Sequence, residues 1–164
     1  MLPIVLIYYV ISICRLTMSK SNSNIALMEK LLTHLKNTKL HYLKAADHAN
    51  RSERKRFFNQ QAMLRNRFFQ EILSELQNLG IEFDDLIISR FNFDQLLISS
   101  IDTLKLPAVE KCLEADKVLL EHYETLLDDS FKKEKFLQHK SSIEVAIEQN
   151  MVLSMHYQKK NINL

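Results

Sequence analysis

The sequence predicts an all-α protein, an up-down four-helix bundle, on three observations. The chain of 164 residues holds 1 Gly and 2 Pro, too few for the many corners of a sandwich or barrel. Apolar residues recur at spacings of three and four over four long stretches, which is the period of one helix face. Hydrophobic residues make up 46% and charged residues 26%, a balance that builds one core in a single domain and excludes wholesale disorder.

The chain opens on an apolar run from Leu2 to Cys14, with the polar leader MSKSNSN following from Met18. The run is shorter than the roughly 20 residues of a spanning helix. It lacks the positive segment that precedes a secretory signal, and Ile13, not a small residue, stands before Cys14. Residues 1–23 are therefore read as an N-terminal extension, with translation expected to start at Met18. A short membrane anchor is the competing reading, so a membrane is a partner only if the segment before Met18 is real.

Residues 24–160 are expected to form the bundle domain. The first helix is predicted from about Asn24 to Asn50, capped by Ser23 or Asn24, with Met28, Leu31, Leu35, Tyr42, Ala45 and Ala49 inward. The second is predicted from Ser52, a candidate N-cap, to Leu79. Its inward residues are Phe58, Ala62, Phe69, Ile72, Leu76 and Leu79, and Gly80 falls where a left-handed C-terminal residue belongs. Pro107 marks the start of the third helix, which carries Val109, Cys112, Leu119, Tyr123 and Leu126 until Asp128, Asp129 and Ser130 break it. The fourth runs from about Phe131 to Lys159, with Phe136, Ile143, Ile147, Met151 and Ser154 inward.

Between the second and third helices, Ile81 to Leu106 is too long and too apolar for a structureless loop. A short helix is expected at about Phe93 to Leu104, packed across the bundle. Phe91, Leu96, Leu97, Ile101 and Leu104 should cover one flank or a subunit interface, because exposed together they would make a large sticky patch. Two hairpins joined by one long, partly helical crossover is the connectivity of ferritin-like bundles. A faint repeat agrees with it. His41-Tyr42 in the first helix is echoed by His122-Tyr123 in the third, each followed by phenylalanine near the start of the next helix, at Phe57 and Phe58 and at Phe136.

The segments YLKAAD (Tyr42 to Asp47), FFNQQAMLRNRFFQEILSELQNLG (Phe57 to Gly80) and KCLEADKVLLEHYETLL (Lys111 to Leu127) carry a further likeness. Over about Ile25 to Gln158 the chain resembles a bacterial family of ferritin-like four-helix-bundle proteins known as domain of unknown function 2383. The resemblance implies the fold and no particular activity.

Function classes narrow by exclusion. A net charge of +2 lacks the basic excess of a nucleic-acid binder, so no nucleic-acid partner is expected. Without glycine-rich loops there is no phosphate cradle. Two cysteines, Cys14 and Cys112, make no disulfide framework and fit a reducing, cytoplasmic compartment. Cys112 lies on the apolar stripe and reads as core.

A ferritin-like di-iron centre takes a Glu from each of two helices and Glu-x-x-His from each of the other two. No Glu here has a His three residues later. Aligned on the tyrosines and phenylalanines, the ligand positions fall near Leu35, Arg65 and Phe68, Asp116, and Glu144 and Ile147. Leucine and phenylalanine do not ligate iron, and the fixed charge of arginine opposes a cation. No metal and no cofactor is therefore expected. His34, His41 and His48 recur every seven residues, roughly 10 Å apart along the axis, which fits a row beside the core better than one metal. His122, His139 and His156 show no ligand spacing. The basic corner RSERKR (Arg51 to Arg56) and the paired carboxylates at Asp84–Asp85 and Asp128–Asp129 read as solvated turns and caps.

Arg65 and Asp116 both fall on inward stripes. A buried lone charge costs several kcal/mol, so the two are expected to pair at the centre, with Tyr42 or Tyr123 donating to the carboxylate. The function expected is that of a non-enzymatic bundle that binds a protein partner or self-associates as a homo-oligomer. The alternative is a metalloprotein with a divergent site near Asp116 and Glu144.

Overall fold

A computed structural model describes the backbone of residues 2–86, 88, 107–128 and 133–162, and the side chains of 22–86, 88, 107–128 and 133–156. The expected interaction surface, Phe91, Leu96, Leu97, Ile101 and Leu104, and the crossover helix that carries it lie outside the described residues. Four α-helices pack together, α1 (Leu2–Asp47), α2 (Ser52–Asn78), α3 (Ala108–Asp128) and α4 (Glu134–Ile162), with no strand among the described residues.

The first helix differs most from expectation. It begins at Leu2 and runs unbroken through the polar stretch, so neither Ser23 nor Asn24 is a cap. Ser and Asn each cost only a fraction of a kcal/mol inside a helix, and no Gly or Pro interrupts residues 4–47. Pro3 sits in the first turn, where its missing N–H is tolerated. Among the described residues no helix is long and apolar enough to cross a membrane.

Arg51, not Ser52, occupies the N-cap position of α2, with no side-chain capping bond. The other end closes as the sequence predicts. Gly80 has φ +82°, its N–H donates to the carbonyl of Gln77 (2.9 Å), and the N–H of Ile81 reaches that of Leu76 (3.0 Å). This is a Schellman closure, and its left-handed residue favours glycine. A single 3-10 turn, Phe83–Asp85, follows.

Contacts fix the directions. Tyr42 meets Phe58 with ring centroids 6.3 Å apart, and Lys39 Nζ donates to Asn66 Oδ1 at 3.0 Å, so α1 and α2 are antiparallel. Tyr42 reaches Asp116 while His34 meets His122, so α1 and α3 are antiparallel too. Glu71 meets His139 and Glu75 meets Lys135, which sets α4 against α2 and along α1.

Two core clusters result. The larger holds Met28, Leu31, Leu35, Phe68, Ile72, Leu119, Tyr123, Leu126, Phe136 and Ile143. The smaller holds Tyr42, Ala45, Ala46, Phe58, Ala62, Val109 and Cys112. Phe68 is buried in place of the expected Phe69, because the inward row of α2 is Gln61, Arg65, Phe68, Ile72, with two polar members. Leu79 and Met151, expected inward, are exposed. On α4 the buried row is Phe136, His139, Ile143, Ala146 and Asn150, again with polar members that hide the stripe.

Candidate functional site

The centre of the bundle is a polar cluster sealed from water. Arg65 from α2 and Asp116 from α3 are both 0% exposed. Arg65 Nη2 donates to Oδ1 at 2.7 Å and to Oδ2 at 2.8 Å, and Nε donates to Oδ1 at 3.1 Å. The guanidinium fork thus grips both carboxylate oxygens, an arrangement lysine cannot reproduce. Nη1 donates to Gln61 Oε1 at 3.1 Å, one turn back on the same helix. Tyr42 from α1 donates its hydroxyl proton to Asp116 Oδ2 at 2.5 Å and accepts from Asn150 Nδ2 of α4 at 2.6 Å. All four helices therefore meet in one layer. The Tyr42 ring also lies beneath the guanidinium, 5.2 Å from its centroid.

Each partner answers a specific cost. Burial raises the Asp116 carboxyl above its ordinary range, while the Arg65 charge and the Tyr42 hydrogen bond pull it back down. Burial and the Asp116 charge push the Tyr42 phenol well up, which keeps it a proton donor. Cys112, one turn before Asp116, is fully buried, and burial raises its thiol. It is an inert core residue, not a nucleophile.

Of the residues singled out from the sequence, Arg65, Asp116 and Tyr42 come together. Tyr123 does not join them. Its hydroxyl donates to His139 Nδ1 at 2.9 Å, and His139 Nε2 donates to Glu71 at 2.6 Å. His139 stacks on Phe68 with centroids 4.0 Å apart. Burial holds this imidazole below its ordinary value, against the opposing pull of Glu71. Glu144 stays apart from Asp116. Its carboxylate takes Lys140 at 2.5 Å and is 44% exposed. Among the described residues no group of three or more His, Cys, Asp or Glu is placed to share a metal ion.

Asn150, Gln61 and His139 were missed from the sequence. A signal was present for each, since all three sit three or four positions from buried apolar residues of their own helices: Ala146 for Asn150, Phe58 for Gln61, and Phe136 and Ile143 for His139. A periodic stripe read from apolar residues alone passes over them. His34 and His122, which share no helix, meet with centroids 4.4 Å apart, a contact that single-helix spacing does not reveal.

Among the described residues, fold and site together define four packed α-helices with a closed, charged polar centre. No family model, curated protein or solved structure matches the chain.

Proposed function

We propose that this chain is a non-enzymatic helical-bundle protein of ferritin-like architecture that works through contact with another protein surface, a second copy of itself in the simplest case. The observation that carries the reading is the closure of the centre. Both Asp116 oxygens are taken by Arg65 and Tyr42, and a fixed positive charge stands where a cation would have to enter. Glu144, the second carboxylate of a divergent metal site, is held at the surface by Lys140. Among the described residues, neither a nucleophile nor a free acid–base pair lines the centre.

The ferritin-like reading draws on helix direction. Because α2 and α3 both run against α1, the end of α2 and the start of α3 lie at opposite ends of the bundle, the placement a crossover connection joins. The outward face of α4 supports the contact role. Val145, Met151, Val152 and Met155 are all exposed and fall within about a third of the helix circumference at 100° per residue. Beside this stripe a groove of about 600 Å³ is bordered by Arg51, Arg54, Glu53 and Glu148. Opposite charges on one patch suit a two-fold interface, in which each copy offers both signs to the other.

Sedimentation velocity of the full chain tests the reading. A dimer is expected, with Val152→Glu/Met155→Glu sedimenting as a monomer. A wild-type monomer at every concentration would remove self-association and leave contact with a different protein. Metal analysis of purified protein tests the rest: stoichiometric iron, manganese or zinc would overturn the non-metal reading.

A further inference from the structure

A cleft of about 240 Å³ opens between α1 and α2, with Phe83 of the 3-10 turn on its border. Its walls divide by chemistry. Leu35, Phe69 and Phe83 are apolar, whereas Lys39, Asn66 and Arg65 are polar, with Lys36 adding a second lysine to the lining. No acidic side chain is among the lining residues. Ligand sites combine apolar walls with a few placed polar groups in this way. The volume lies below the roughly 300–1,000 Å³ typical of drug-sized ligands, so the occupant is of single-ring size.

Arg65 ties the cleft to the buried centre. A guanidinium has five N–H groups. Nε and Nη2 donate to Asp116 and Nη1 donates to Gln61. The Arg65 side chain is 0% exposed and Asp116 already balances its charge, so it closes the floor of the cleft and offers a ligand no contact. The charge that selects a ligand is therefore that of Lys39, whose ammonium already bonds the carboxamide oxygen of Asn66 at 3.0 Å. A carboxylate arriving there would find a donor positioned by Asn66, with aromatic surface from Phe69 and Phe83 beside it.

We propose that the α1–α2 cleft binds a small amphipathic organic anion, with its carboxylate at Lys39 and its apolar ring against Phe69 and Phe83. Neither the self-association face on α4 nor the absence of a metal enters this inference, and the site lies on other helices. Cation plus apolar wall predicts a ranking by charge: an aromatic carboxylate binds better than a neutral ring of the same size, and an aromatic amine binds worst.

Titration of the full chain, followed by amide chemical shifts, tests the ranking with benzoate, benzyl alcohol and benzylamine as probes. Saturable benzoate shifts are expected, confined to residues 35–39, 65–70 and 83, with benzyl alcohol at least tenfold weaker. Lys39→Ala is expected to weaken benzoate about fivefold and to leave benzyl alcohol unchanged. Phe69→Ala should weaken both. Lys39 is at the surface, so its removal leaves the fold in place, and unchanged dispersion of the remaining amides checks this. Non-saturable benzoate shifts, shifts centred elsewhere, benzylamine binding as well as benzoate, or Lys39→Ala binding benzoate like the parent would each overturn the proposal.

Discussion

The two ends of the core repeat one design with different chemistry. Tyr42 and Tyr123 stand at matching places in α1 and α3, and each packs beside a phenylalanine at the start of the next helix, with centroids 6.3 Å apart for Tyr42–Phe58 and 6.4 Å for Tyr123–Phe136. Two turns before Tyr123 stands Asp116; two turns before Tyr42 stands Leu35. Around Tyr42 the hydroxyl meets a carboxylate, a guanidinium behind it, and a carboxamide. Around Tyr123 the hydroxyl meets one imidazole, and that ring leads out to the half-exposed Glu71. A fixed charge pair in the dry interior must be satisfied on every side, because any missing partner leaves an unpaired charge. A neutral histidine has a proton to give on one side and a lone pair on the other, so its chain of bonds can end at the surface. The Tyr42 layer is therefore closed and the Tyr123 layer is open to solvent.

The largest effect should come from breaking the closed layer. Asp116→Ala strands the Arg65 guanidinium, and about 3–5 kcal/mol of stability is expected to go. Replacing both, as Arg65→Met/Asp116→Leu, should cost much less than the sum of the two single changes, since no charge is then left buried. Denaturant unfolding of the four proteins gives the coupling directly. A coupling near zero would mean that the pair, despite its 2.7 Å contact, is energetically two separate groups.

Much of this centre is legible in the sequence, for a physical reason. A charged residue on an apolar stripe violates burial so strongly that it points to a partner, and Arg65 and Asp116 are two such residues with opposite sign. Tyr42 follows because it shares the stripe. Asn150 and His139 are harder to see. Each sits on the inward row of α4, yet uncharged polar residues there shift the apparent stripe toward Ile147 and Met151, and Met151 is exposed in the structure. The start of α1 fails differently. Ser and Asn in MSKSNSN look like caps, but capping residues end a helix only where the chain before them cannot continue it, and the apolar run before Met18 continues as helix. Which of two adjacent phenylalanines faces inward is set by Arg65, since the row through Gln61, Arg65 and Phe68 leaves Phe69 half-exposed at the α1–α2 cleft.

Deleting one hydroxyl from each layer sharpens the comparison at a smaller scale. Tyr42→Phe removes a hydrogen bond to a charged acceptor and leaves the Asn150 amide without its acceptor. About 1.5–3 kcal/mol is expected. Tyr123→Phe removes one bond between neutral groups, for which about 0.5–1.5 kcal/mol is typical. Unfolding free energies of the two variants, measured side by side, check the order. Equal losses would show that burial of the phenol, common to both layers, outweighs what each hydroxyl touches.

The smallest effect separates the layers by pH. Burial holds His139 below its ordinary value of 6.5, with Arg67 and Lys135 adding to the depression and Glu71 opposing it. In the unfolded chain the same imidazole takes a proton as pH falls through about 6.5. Below that point the unfolded state binds more protons than the folded state, so stability falls on acidification. The contribution is fully present above the unfolded value and is lost as pH drops toward the lower folded one. One group adds a slope of at most about 1.4 kcal/mol per pH unit. His41, depressed by burial and by Lys111 and Lys44, adds in the same sense. Burial raises the Asp116 carboxyl, so it takes up its proton earlier in the folded chain and opposes that fall; the Arg65→Met/Asp116→Leu variant removes it. Melting temperatures between pH 7.5 and 5.5 are therefore expected to fall for the parent and at least as steeply for that variant. His139→Gln should flatten the slope. A parent slope unchanged by His139→Gln would place the titration at His41 or another histidine and remove the distinction between an open and a closed layer.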